Sequence, residues 1–164
     1  MSRDSRAFDI VTDSQIRDEQ LSALLQVVYV EGGHTAEAVA GTLFAPARVR
    51  ARGRMICAHE TDSRELVGMI IVVPPGGAAR QIARGGEAEL HLLAVDPAAR
   101  GQGIGAALVR AALKFARSEG WSQIVLSTQK QMTIAQAIYA KAGFKRVADR
   151  DWNRGDVAFL VYEI

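Results

Sequence analysis

Arg100-Gly101-Gln102-Gly103-Ile104-Gly105 stands between a strand-like run, Glu89 to Val95, and a helix-like run, Ala106 to Phe115. Glycines at such a junction allow a tight turn and remove side chains that would hold a ligand away. The first amides of a helix have no partner inside it and carry the positive end of its dipole. A strand-glycine-helix turn of this kind therefore suits a phosphate-bearing ligand held mostly by main chain.

Working outward, Phe8 to Val11 reads as a first strand, and Thr12 or Asp13 as a cap for a helix from Gln15 to Val30. Ile16, Leu21, Leu24, Leu25 and Val28 give that helix an apolar face. Thr35 to Phe44 reads as a second helix, ending before Pro46. Met55 to His59 and Leu66 to Val73 read as a hairpin turning at Asp62-Ser63-Arg64, and Pro74-Pro75-Gly76-Gly77 opens a loop to about Gly86. Strand 88–95, the glycine turn and a helix from Gly103 to Glu119 form the central unit. Strand 124–126, a helix from Met132 to Ala142 ended by Gly143, and strands at 144–148 and 156–163 complete the chain, the last two joined by the loop 150–155. The order β-α-α-β-β-β-α-β-α-β-β predicts an α/β fold, one mixed sheet with helices on both faces, as a single domain over residues 1–164.

Strand side chains alternate, so Glu89, His91, Leu93 and Val95 are expected on one face of strand 88–95, with Leu90, Leu92 and Ala94 on the other.

Composition is that of an ordinary soluble domain, 49% hydrophobic and 23% charged. A net charge of +2 gives no concentrated basic face for nucleic acid. Arg48, Arg50, Arg52 and Arg54 do cluster, and read as a solvated face or loop. Cys57 is the one cysteine, so no internal disulfide forms, and its apolar neighbours make it a buried, inert thiol. No signal peptide or membrane-spanning run is recognisable, and a cytoplasmic location is expected. No set of metal ligands stands out.

Gly101-x-Gly103-x-x-Ala106 also fits a loose dinucleotide fingerprint. That fold needs an acidic residue about 20 positions later; Ser122 to Thr128 has none. A nucleotide-hydrolase loop is excluded because no Gly-Lys-Ser/Thr follows the glycines.

Arg100-x-x-Gly103-x-Gly105, approached by Leu92-Leu93-Ala94-Val95-Asp96-Pro97, resembles the central motif of the Gcn5-related N-acetyltransferase superfamily. Ala135 and Tyr139 on a short helix, followed by Gly143-Phe144, match its second motif, and the element order agrees from Phe8 to Ile164. The run Ser127 to Thr133, with the Asp151-Trp152 loop, looks like a bacterial branch. One departure is Met132, where many relatives carry an asparagine that contacts the pantetheine arm; Gln129, Gln131 or Gln136 could substitute.

The resemblance implies acetyl transfer from acetyl-coenzyme A to an amine. It places the diphosphate on the amides of Gly101, Gln102, Gly103, Ile104, Gly105 and Ala106, with Arg100 beside them, and the pantetheine along Leu93, Ala94, Val95 and Ala135. The N–H of Val95 would face the thioester carbonyl, and Tyr139 would protonate the departing thiolate. Two candidates remain for the base: Glu89, where some protein-acetylating relatives place a glutamate, and His91, whose imidazole could serve directly or through water. Freeing a lysine-like amine at pH 7 costs about 4–5 kcal/mol, an α-amine only about 1 kcal/mol, which favours a small molecule or α-amine as acceptor. Tyr29, Glu31, His34 and Trp152 are candidate acceptor-pocket residues. A homodimer is a family expectation alone, and a non-catalytic acyl-coenzyme A sensor is the rival reading.

Overall fold

Both faces of the sheet are covered by helices, which is why runs such as Leu66 to Val73 are apolar without alternating. The computed structural model describes residues 7–12 and 15–164. The strands are β1 (Phe8–Thr12), β2 (Arg54–Glu60), β3 (Leu66–Val73), β4 (Ala88–Val95), β5 (Ile124–Gln129), β6 (Lys145–Arg146), β7 (Trp152–Arg154) and β8 (Val157–Glu163). Their order is β1-β2-β3-β4-β5-β8-β6, with β7 also pairing with β8. The β4–β5 pair is parallel and the other pairs are antiparallel.

The helices are α1 (Asp18–Leu25), continued by a π-helical turn Gln26–Val30, then α2 (Glu37–Leu43), α3 (Pro46–Arg50), α4 (Ile104–Ser118) and α5 (Thr133–Lys141). Leu108, Val109 and Ala112 of α4 and Tyr139 of α5 pack on Ile56, Ile70 and Leu90. On the other face, Leu21 and Leu25 of α1 and Ala40 of α2 pack on Met55, Cys57, Met69 and Ile71. Gly68 lets α4 approach: a Cβ there would lie 2.9 Å from Ile104 Cγ2 and 3.0 Å from Leu108 Cδ1. Among the described residues no helix is long and apolar enough to cross a membrane.

The expected order of elements is present, with local corrections. Helix α1 begins at Asp18, where Gln20 accepts the Arg17 N–H and Asp18 and Glu19 complement the dipole. Thr12 belongs to β1 instead of capping, and Asp13 lies outside the described residues. Pro46 follows α2 as expected and also starts a further short helix at its first turn, where no amide donor is needed. The expected loop 150–155 contains β7, because Asp151 accepts the Val161 N–H and the Arg146 guanidinium and lays the segment along β8.

The largest correction is in β4. Met69 pairs with Ala94 and Ile71 with His91, so one residue of β3 faces two of β4. Leu92 takes up the extra residue in a left-handed conformation, φ 52°. This bulge reverses the alternation beyond it. Leu93 and Val95 face α4 and α5 with Leu90, whereas Leu92 and Ala94 face α1. Glu89 and His91 therefore lie on the face opposite Leu93 and Val95, not on a shared one.

β4 and β5 pair only over Ala88–Leu90 and Ile124–Leu126. Beyond that β5 stays with β8 as far as Gln129, and a gap opens between the parallel strands.

Gly68→Val should destabilise the protein by about 1–3 kcal/mol through overpacking against α4. A urea titration showing wild-type stability would mean that α4 has room to move away.

Candidate active site

The glycine turn leaves its main-chain amides open. Gly101 and Gly103 both have left-handed φ, 80° and 79°. The amides of Gly101 through Ala106 donate to no described residue. A Cβ on Gly103 would meet nothing within 4 Å, so this glycine supplies backbone conformation and open access. Gly105 serves packing, since a Cβ there would lie 2.7 Å from Ile138 Cδ1 of α5. Ile104 is core, and Gln102 lines a separate cleft beside Phe8.

From Arg100, beside this turn, a cavity runs between the end of β4 and α5 past His34, Val95, Ala135 and Leu93. Asp96 donates its N–H to Val67 across β3, so antiparallel alternation turns the Val95 N–H away from β3 and toward the gap. His34 Nδ1 is buried there without a hydrogen-bond partner. Unpaired amides at one end and polar atoms along an apolar slot fit the diphosphate and amide-bearing arm of a coenzyme A thioester. Of the three glutamines near Met132, Gln129 donates to His34 O and Gln136 donates to Gln129 O and Lys130 O. Gln131 is exposed on the cavity wall and is the glutamine left to contact such an arm.

Leu93 and Met132 also line a second chamber, between β4 and β5, with Tyr29, Arg52, His91, Tyr139 and Arg154. Burial pushes the Tyr139 hydroxyl well above its ordinary pKa, and nearby Tyr29 adds to the effect. The Tyr139 ring is held by Phe144 and Tyr162, with centroids at 5.9 and 6.2 Å. Its hydroxyl has no hydrogen-bond partner among the described residues. The π-helical turn aims Tyr29 inward, where its hydroxyl donates to Leu93 O at 3.0 Å.

Glu89 is 1% exposed. Its Oε2 accepts the amides of Gln81, Ile82 and Ala83 at 2.9, 3.1 and 2.9 Å. Its Oε1 lies 2.9 Å from His91 Nε2. Burial alone would raise its pKa, but the bonds from His91 and from the Ala83 and Gln81 amides outweigh that and hold it below the ordinary value. An ionised carboxylate only accepts, so Nε2 of a neutral His91 carries the proton and Nδ1 keeps its lone pair. Arg52 Nη1 is 3.5 Å from that Nδ1.

The structure thus brings His91, Tyr139 and Leu93 together in one chamber and seals Glu89 behind His91. Ala94 packs in the core on the α1 side. Among the candidate acceptor-pocket residues, Tyr29 lines the chamber and His34 the outer cavity. Trp152 sits behind Phe159, stacked at 4.3 Å, and Glu31 is exposed elsewhere. Arg52 and Arg154 are chamber residues that sequence reasoning passed over. Arg52 belongs to the cluster read as a solvated face, yet it is half-buried.

The sequence profile of the Acetyltransferase (GNAT) family matches residues 19–144, and the chain belongs to that family. It is 36% identical over 95 residues to N-acetyltransferase 8 of Homo sapiens, covering 58% of this chain and 40% of that protein. It is 44% identical over 64 residues to a mycothiol acetyltransferase of Amycolatopsis mediterranei, covering 38% of this chain and 21% of that protein. The chain thus spans well under half the length of these relatives. Among solved structures, a GNAT family acetyltransferase from Brucella melitensis in complex with acetyl-CoA superposes with TM-score 0.64 at 20% identity, covering 95% of this chain and 87% of that one. A GNAT family acetyltransferase from Staphylococcus aureus gives TM-score 0.70 at 18% identity, covering 96% and 99%. At these identities the likeness establishes the fold.

Because the Glu89 pKa is depressed, its stabilising contribution is full above the ordinary value of 4.5 and is lost as pH falls below it. Glu89→Gln, which turns an NH2 group toward amide donors, should cost about 2–3 kcal/mol at pH 7, and the deficit should shrink as pH falls below that value. Denaturant titrations across pH check this, and equal stability at pH 7 would refute it.

Proposed function

We propose that this protein transfers an acetyl group from acetyl-coenzyme A to a primary amine, a small molecule or α-amine in preference to protein lysine. The observation that carries the reading is that a cavity beginning at Arg100, next to the unpaired amides of the glycine turn, meets the chamber of His91 and Tyr139 at Leu93 and Met132.

Acetyl-coenzyme A supplies the acetyl group as an activated thioester. The amides of Gly101 through Ala106 hold the diphosphate, the dipole of α4 contributing roughly 0.3–1 kcal/mol. The Val95 N–H faces the thioester carbonyl, where negative charge develops as the amine attacks. His91 Nδ1 takes the amine's proton. Glu89 acts through His91, fixing its tautomer and stabilising the imidazolium, so it serves as a positioning residue and not as the base. A new C–N bond forms, the C–S bond breaks, and Tyr139 donates its proton to the departing sulfur. Burial keeps that phenol protonated until then. A single imidazole is a modest base, which suits an amine that is partly neutral at pH 7.

Tyr139→Phe should lower turnover by roughly 10²-fold or more while coenzyme A still binds. The check is thiol release with an amine panel beside calorimetric titration of coenzyme A. Binding without turnover of any amine in the wild type would instead indicate an acyl-coenzyme A sensor. Gly103→Val should weaken coenzyme A binding, because a β-branched residue disfavours φ 79° and crowds the phosphate turn. Unchanged affinity would move the diphosphate elsewhere.

A further inference from the structure

The chamber is cationic and holds no counter-charge. Arg52 and Arg154 line it, and no Asp or Glu does. Arg52 is half-buried; its Nη2 donates to Leu43 O at 3.2 Å, and no described carboxylate pairs with it. Arg154 lies over Trp152 and Phe159, at 5.2 and 5.7 Å from the ring centroids, likewise without an ion pair. Elsewhere the chain does match partly buried guanidinium groups: Arg150 holds both oxygens of Glu87, and Arg146 both of Asp151. Glu89, behind His91, has its oxygens committed to His91 and the loop amides. Burial lowers the Arg52 pKa; Tyr29 opposes that, and the like charge of Arg154 adds to it. A desolvated guanidinium with no carboxylate is costly, and an anion entering the chamber would relieve that cost.

We propose that the acceptor is an amine that also carries a carboxylate, an α-amino acid or a close derivative, with the carboxylate held between Arg52 and Arg154. The distances fix where the amine goes. Arg52 Nη1 is 3.5 Å from His91 Nδ1, so a carboxylate on Arg52 brings an amine on the adjacent carbon within reach of the imidazole. Leu43, Phe44, Leu92 and Phe159 supply an apolar wall for the amino-acid side chain. The same charges repel polyamines and basic peptides, whose cations would find no carboxylate here. The site of acetylation rests on the transfer reaction proposed above, whereas the binding of a carboxylate does not.

The test compares matched acids and amides. With wild type and acetyl-coenzyme A, phenylalanine should show kcat/KM, expressed per neutral amine at the assay pH, about tenfold or more above phenylalaninamide, the scale of a charge-assisted hydrogen bond. In the presence of coenzyme A, N-acetylphenylalanine should bind more tightly than N-acetylphenylalaninamide by a similar factor, a readout that needs no turnover. Arg154→Gln, at an exposed position, should bring both acid-to-amide ratios toward one. Arg52→Gln should do the same, and Arg52→Lys should restore part of the preference, with thermal melting verifying the fold of each variant. Equal binding of acid and amide by wild type, or a preference that survives both glutamine variants, overturns the inference even if amines are acetylated. Arginine-dependent binding of the acid with no acetylation of any amine would overturn the transfer reaction and leave the carboxylate site standing.

Discussion

Leu92, left-handed in the middle of β4, is the constraint on which the rest of the site depends. A non-glycine residue in that conformation costs about 1–3 kcal/mol, and it persists only where the surroundings over-determine it. Here β3 pairs with β4 on both sides of the bulge, and Leu92 packs with Ala94 against the α1 side. The consequence is a change of face within one strand. Glu89 and His91 point toward the chamber wall built with Arg52, while Leu93 and Val95 turn toward α4 and α5. The proposed base, thioester slot and phosphate turn therefore meet along one strand and the helix that follows it.

Glu89 couples this geometry to the loop before β4. By accepting the amides of Gln81, Ile82 and Ala83 it folds that loop over the strand, and Gln81 becomes part of the chamber wall. Arg150 secures the same loop from outside, bonding Ile82 O and Glu87. The arginine bond holds Glu87 below the usual carboxylate pKa, more than offsetting its partial burial. One buried carboxylate thus closes a loop and orients an imidazole, two duties that a solvated general base would not have.

Much of the fold and part of the site are legible in the sequence, for physical reasons. Gly101 and Gly103 announce the turn because left-handed backbone favours glycine, and Tyr139 with Gly143-Phe144 announces α5 because helix spacing and its stop are local signals. Helix α3 is not legible because Pro46 reads as the end of α2 and gives no sign of the short helix it also begins, and β7 is not because three residues carry too little pattern to show their pairing with β8. The bulge is hidden because Leu92 is an ordinary strand residue, and strict alternation then puts Glu89 and His91 on the wrong face. Arg52 is hidden among Arg48, Arg50 and Arg54; only tertiary packing sends it inward, while Arg50 pairs with Asp18 at the surface. Charge counting along the chain does not see that difference.

The central claim is that unpaired main-chain amides, at the turn and on the gap side of β4, grip the ligand. Residue-resolved hydrogen exchange with and without coenzyme A measures those amides directly. Slowed exchange at Gly101 through Ala106 and at Val95 is the expected result. Saturating binding that leaves these amides unprotected, or that protects only the α1 side of the sheet, would contradict it.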